Sequence, residues 1–305
     1  MMRQPLAIVL CILALGAHAQ TNRAEKSQAL LSALRTELSA KPTANSATCT
    51  LSEPEYKASR YPDKGTHELK RTVVFDNGTI RYGLAYWVIL KEEYSRECYA
   101  AEGSTGLGMN APCSAGWYQN NFLELRIDGK TPLRTTRATF EVVTPTGAEA
   151  ALRIAWDTPA AQVETRFSLG ANDDYLTMHY TVTPKTPGKK ISVGFRAYPG
   201  HYPAPRARRA ATISQEIGAP KRLVLTPTET RVVMYDALDI DAPCHLCGID
   251  ISRVLGTPSA VLNVQTYPVT LSLDYPDSTE AVEGTVHLHE WKDAGLNTVL
   301  DTFLR

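Results

Sequence analysis

The chain has 305 residues, 43 % of them hydrophobic, and its 32 Lys and Arg balance 32 Asp and Glu. A neutral chain lacks the basic excess that nucleic acid or an anionic membrane surface selects, so neither is an expected partner. The length suits one large β domain or two small ones, with ample material for a core.

Residues 1–19 combine a single cation at Arg3, an apolar run from Leu6 to Leu15 and the small-residue pattern Ala17-His18-Ala19 before Gln20. That is the pattern of a secretory signal peptide, and its apolar run is too short for a spanning helix, which needs roughly 20 residues. The expected location is therefore secreted or periplasmic, with no membrane span. In residues 20–41, Leu30, Leu31, Leu34 and Leu38 recur at helical spacing, Asn22 and Glu25 suit a cap and Pro42 follows as a stop, which predicts one amphipathic helix. Residues 42–66 are rich in Thr, Ser and Ala without a period and read as a linker.

From residue 67 to 305 the pattern becomes short runs of Val, Ile, Thr and Tyr punctuated by Gly, Pro, Asn and Asp, which predicts an all-β, two-sheet sandwich. "ELKRTVVFDNGTIRYGLAYWVIL" reads as a hairpin about Asn77-Gly78. The sequon Asn77-Gly78-Thr79 is explained by that turn without a glycan. "NNFLELRIDG", "ALRIAWDT", "QVETRFSL", "DYLTMHYTVTP" and "KKISVGFRAYP" are further strands, and five Tyr-Pro pairs, at Tyr61, Tyr198, Tyr202, Tyr267 and Tyr275, mark exits from the sheets.

Beyond the leader the cysteines are Cys49, Cys98, Cys113, Cys244 and Cys247, an odd number in a compartment where disulfides persist. Cys98 and Cys113 flank a loop with glycines at 103, 106 and 108, and a disulfide closing it is expected. Cys244 and Cys247 form a Cys-x-x-Cys pair. A structural disulfide is the first reading, half of a metal site the second and a redox dithiol the third, because "GIDISRVLG" after it reads as a strand and not as the helix a redox pair needs. No metal and no cofactor are expected.

Chemistry-bearing side chains concentrate in two stretches. In "GTVHLHEW", Val286 and Leu288 alternate with His287, His289 and Trp291, so two imidazoles and an indole share one strand face. The Gly and Glu that a cupin-like metal site would need are not at the right spacing. In "FRAYPGHYPAP", Arg196, His201 and Tyr202 stand beside Tyr198 at and beyond a strand end, a set suited to a small polar ligand. The "PRARRA" that follows, with Arg206, Arg208 and Arg209, reads as a solvated loop. Glu124, Asp128, Asp174 and Asp250 sit singly at strands or turns, and His179 reads as a satisfied strand residue.

"DYLTMHYTVTPKTPGKKISVGF" resembles the central strands of the galactose mutarotase-like supersandwich family. "VLNVQTYP" is similar to that family's late strand, with Leu262, Gln265 and Tyr267-Pro268 as the matching positions, and "EGTVHLHEW" is similar to its closing strand. The resemblance covers the second half of the chain and implies a supersandwich and a carbohydrate ligand, with Gln265 among the binding residues. It departs from the family at Asn263, where the epimerases carry a general-base Glu. An amide cannot take a proton near neutral pH, so epimerase activity is not expected. His201 stands as the counterpart of the family's general-acid His, in surroundings that do not reproduce the family's motif. The reading is a saccharide- or glycan-binding protein, with a lyase or hydrolase and an envelope or matrix interaction protein as the alternatives.

Overall fold

The computed structural model describes residues 46–58, 66–91, 105–111, 116–119, 121–200, 206–240, 246–256 and 258–305. The expected signal peptide, the amphipathic helix and Cys98, Cys113, Cys244, His201 and Tyr202 lie outside the described residues. Those described belong to one compact unit, residues 42–305.

The strands in chain order are β1 (Ala47–Leu51), β2 (Glu55–Ala58), β3 (Thr66–Asp76), β4 (Arg81–Lys91), β5 (Thr105–Ala111), β6 (Leu123–Ile127), β7 (Ala138–Thr144), β8 (Thr146–Gly147), β9 (Glu149–Asp157) and β10 (Ala161–Gly170). They continue as β11 (Leu176–Pro184), β12 (Lys189–Ala197), β13 (Arg208–Ala211), β14 (Glu216–Gly218), β15 (Lys221–Val224), β16 (Arg231–Asp236), β17 (Leu246–Val254), β18 (Ser259–Val264), β19 (Val269–Ser278) and β20 (Val282–Trp291). Among the described residues one α-helix, α1 (Leu296–Phe303), follows β20.

The strands form three antiparallel sheets where two were predicted. A nine-stranded sheet runs β14-β13-β16-β17-β20-β11-β10-β9-β7, a five-stranded sheet β15-β18-β19-β12-β6, and a six-stranded sheet β5-β4-β3-β1-β8 with β2 beside β3. One continuous core joins them, with Phe75 and Leu84 of the six-stranded sheet, Leu152, Phe167 and Val286 of the nine-stranded sheet, and Val193, Phe195 and Leu271 of the five-stranded sheet. Polar links cross the layers where tyrosines enter this core. The Tyr82 hydroxyl donates to the Leu288 carbonyl at 3.0 Å, and the Tyr180 and Tyr275 hydroxyls share a 2.6 Å hydrogen bond. A buried hydroxyl without such a partner would cost a few kcal/mol.

Local chemistry explains several elements. The β3–β4 hairpin turns where predicted: Gly78 takes φ +80°, and the Asn77 side-chain oxygen accepts from the N–H groups of Thr79 and Ile80. β1 and β2 correct the linker reading. Ala47 and Cys49 face the core, and β1 pairs with β3, so an alternation of small apolar residues makes strand out of a Thr- and Ser-rich stretch. α1 was not predicted; its Leu296, Val299, Leu300 and Phe303 recur at helical spacing and pack over Val233, Tyr235 and Leu246 on the outer face of the nine-stranded sheet.

Two further readings are corrected. Cys247, expected to pair with Cys244, is a free thiol: β17 turns it fully into the core, where it points at the Met234 carbonyl and burial pushes its pKa up. Arg208, expected in a solvated loop, is an inward residue of β13 with a fully buried side chain paired to Asp236 at 2.9 Å and lying 4.6 Å from the Tyr198 ring centre. No helix among the described residues is long and apolar enough to cross a membrane.

Candidate functional site

Three strands of the five-stranded sheet alternate. Ile191, Val193, Phe195 and Ala197 of β12 are buried in the core, as are Leu123, Leu125 and Ile127 of β6 and Val269, Leu271 and Leu273 of β19. The intervening positions of these strands therefore face the other way, and apart from Gly194 they are polar: Glu124 and Arg126, Ser192 and Arg196, Thr270, Ser272 and Asp274.

Strand register sorts these side chains into rows across the sheet. The first is Arg126, Ser192, Asp274 and Ser259; the second is Glu124, Gly194, Ser272 and Val261; the third is Arg196, Thr270, Asn263 and Arg222. The middle row carries glycine at its centre. A Cβ on Gly194 would meet the Glu124 carbonyl at 3.2 Å and the Ser272 hydroxyl at 3.6 Å, so neighbouring atoms already fill that position and glycine is what fits between them without a shift. Thr131 and Arg134 of the β6–β7 connection wall one side, and Gln265 and Pro268 of the β18–β19 turn wall another. The result is a groove of about 560 Å³.

Within it, Glu124 accepts from Arg126 at 2.9 Å and from Arg134 at 3.4 Å, and Ser192 donates to Asp274 at 2.6 Å. Arg196 lies over the Tyr118 ring at 4.7 Å from its centre. The rings continue from there, Tyr118 to Tyr198 at 5.8 Å and Tyr198 to Tyr267 at 4.8 Å. Burial and a hydrogen bond with Tyr267 push the Tyr198 phenol up to about 12. Tyr267, 45 % exposed, presents part of its ring to solvent at the tip of the turn that also carries Gln265. The stretch Val261–Pro268 is thus strand β18 entering a tight turn, closed by the Gln265 N–H donating to the Pro268 carbonyl at 3.0 Å, with Val264 in the core and Asn263 facing the groove.

Three residues singled out in the sequence, Arg196, Asn263 and Gln265, therefore line one groove. His287, His289 and Trp291 do not reach it. They share one face of β20 as the alternation predicts, with Val286 and Leu288 fully buried behind them, but that face belongs to the nine-stranded sheet. There the rings form a ladder: Tyr175 stacks on His287 at 4.4 Å, His289 lies 5.5 Å from Trp291, and Phe303 of α1 covers His289 at 4.7 Å and Trp291 at 5.1 Å. Burial drives the His289 imidazole down to about 4, against the opposing pull of Asp174, and lowers His287 as well, with the Arg253 charge adding to it. Both rings are neutral at pH 7. Trp291 also lies over Gly248, where a Cβ would come within 2.6 Å of its ring.

Sequence reading missed Arg126, Arg134, Ser192, Thr270 and Ser272 as groove residues. The available signal was the polar alternation of "TLSLD", Thr270 to Asp274, and of "LELR", Leu123 to Arg126. Among the described residues no group of three or more His, Cys, Asp or Glu is arranged to hold a metal ion.

No family model and no curated protein matches this chain. Among solved structures it is similar to the galactosidase domain of the α-galactosidase–sucrose kinase AgaSK, with 11 % identity over 79 % of this chain and 42 % of that one, at a TM-score of 0.38. It is similar also to the GH36 α-galactosidase AgaB from Geobacillus stearothermophilus (12 % identity, 83 % and 42 % covered, TM-score 0.37) and to the α-galactosidase from Lactobacillus brevis (10 %, 77 % and 40 %, 0.35). The chain spans about two fifths of the length of these structures. At TM-scores below 0.5 nothing about function is carried across from them.

Proposed function

We propose that this chain is an exported saccharide-binding protein whose ligand lies in the groove of the five-stranded sheet. The observation that carries the reading is the groove itself, lined by hydroxyl, amide and guanidinium groups in register and flanked by the exposed ring of Tyr267. Sugars need this combination, because their hydroxyls exchange hydrogen bonds with polar side chains while their C–H faces cover an aromatic ring. Export rests on the leader pattern of residues 1–19.

Binding is the reading favoured for these carboxylates, because each is already engaged by its neighbours: Glu124 by two guanidinium groups and Asp274 by the Ser192 hydroxyl. Epimerisation is disfavoured by Asn263, which offers an amide where a base is needed.

Calorimetric titration against an oligosaccharide panel tests the proposal. Wild-type protein is expected to bind at least one member, and Asn263→Leu and Thr270→Val to weaken that binding tenfold or more at unchanged melting temperature. No binding across the panel, or variants that bind as the wild type does, would overturn it.

A further inference from the structure

The groove is cationic in an uneven way. Arg126 and Arg134 are both turned onto Glu124. Arg196, in contrast, has no acidic partner among the described residues; its guanidinium lies over Tyr118 at 4.7 Å, half-buried beside Thr270. Arg222 stands at the far end of the same row, next to Asn263, again with no ion pair among the described residues. A partly desolvated guanidinium with free donors is a poor resting place for a charge and a good receptor for a planar anion, which it grips by two parallel N–H donors. The hydroxyl and amide of Thr270 and Asn263 lie between the two arginines in register.

We infer that the saccharide is acidic: a ring carboxylate or sulfate pairs with Arg196, the adjacent hydroxyls bond to Thr270 and Asn263, and in an oligomer a second acidic substituent reaches Arg222. This rests on the groove being the saccharide site. Three inter-strand steps separate Arg196 from Arg222, about 14 Å between Cα atoms, so an oligomer and not a single sugar spans both. The unequal exposure of the two gives them different roles. Half-buried Arg196 orients the anion within the groove, while exposed Arg222 adds length-dependent, salt-sensitive attraction.

The test titrates wild-type protein with oligouronates, sulfated oligosaccharides and neutral oligosaccharides of matched length, at low and raised NaCl. Acidic members are expected to bind at least tenfold tighter than neutral ones and to weaken as salt rises, and the carboxylated and sulfated arms identify the substituent. Arg196→Gln is expected to abolish the preference, bringing the affinities for acidic and neutral members together, and Arg196→Lys to restore part of it. Arg222→Gln, a surface change that leaves the core untouched, is expected to weaken acidic oligomers and not acidic monosaccharides. Neutral sugars bound as tightly as acidic ones would overturn the inference while leaving the saccharide site standing. Absence of binding by every arm would overturn both.

Discussion

Replacing Trp291 by alanine separates scaffold from site. The indole is half-buried, with its ring over Gly248, its face beside His289 at 5.5 Å and the Phe303 ring against it at 5.1 Å. A Trp side chain presents about 200 Å² of apolar surface; burying half of it is worth about 2.5 kcal/mol at about 25 cal/mol per Å². The two aromatic contacts add about 0.5 kcal/mol each or more, and the hole left behind opens toward solvent, so little cavity cost is added. Trp291→Ala should therefore destabilise by about 2–4 kcal/mol and loosen the seat of α1. For a domain of this size that is a fall of roughly 5–15 °C in melting temperature. Saccharide affinity, measured by calorimetry below the transition, should be unchanged, because the groove is on another sheet. A variant that melts with the wild type but loses binding would refute the reasoning and return the ligand to the face of β20.

Other expectations follow from the same geometry. Val286→Ala, at a fully buried position behind His287, should cost about 1–3 kcal/mol in denaturant unfolding and leave binding intact. His289 is pushed from 6.5 to about 4 in the folded state, so the unfolded chain binds more protons between those values, and stability should fall as the pH drops through that window; the loss is at most about 3 kcal/mol and is removed in His289→Phe, as pH-dependent unfolding would show. Burial raises the Glu229 carboxyl, but hydrogen bonds from Ser214, Thr212, Thr226 and Gln215 outweigh it and lower it to about 2, so its stabilisation is complete above about 4.5 and lost as the pH falls toward 2; Glu229→Gln should flatten that part of the profile. Cys247 should resist thiol reagents in the native protein and react on unfolding, whereas a Cys244–Cys247 disulfide in non-reduced peptides would contradict the free thiol. Polarimetry of fresh α-glucose or α-galactose should show no acceleration over the spontaneous rate, since Asn263 offers no base.

What was legible in the sequence is what two-residue alternation and turn chemistry carry locally. Val286 and Leu288 inward, His287 and His289 outward, and the Asn77-Gly78 hairpin all follow from a few adjacent residues. β1 escaped notice because Ala47 and Cys49 are small apolar positions set among hydroxyls, and the strand pairs with β3 from more than 20 residues away. α1 is short, and its apolar stripe has meaning only against Val233 and Leu246. The groove was harder still. It takes Glu124 from β6, Ser192 and Arg196 from β12, Thr270 from β19 and Asn263 from β18, and no local pattern states that these strands are neighbours. Each strand displays its polar alternation, but the register that turns separate alternations into rows is set by the core face, where Val193, Phe195, Leu271 and Leu125 interlock. Arg208 misled for the related reason that its partner Asp236 is supplied by a different strand.

The central claim is the location of the ligand, and hydrogen–deuterium exchange on the full chain with and without a saturating oligosaccharide measures it directly. Peptides covering residues 123–127, 192–196 and 263–272 should gain protection on saturation, while those covering 285–291 and 296–303 should exchange as in the free protein. Protection confined to the β20 and α1 peptides, with the five-stranded sheet unchanged, would contradict the account.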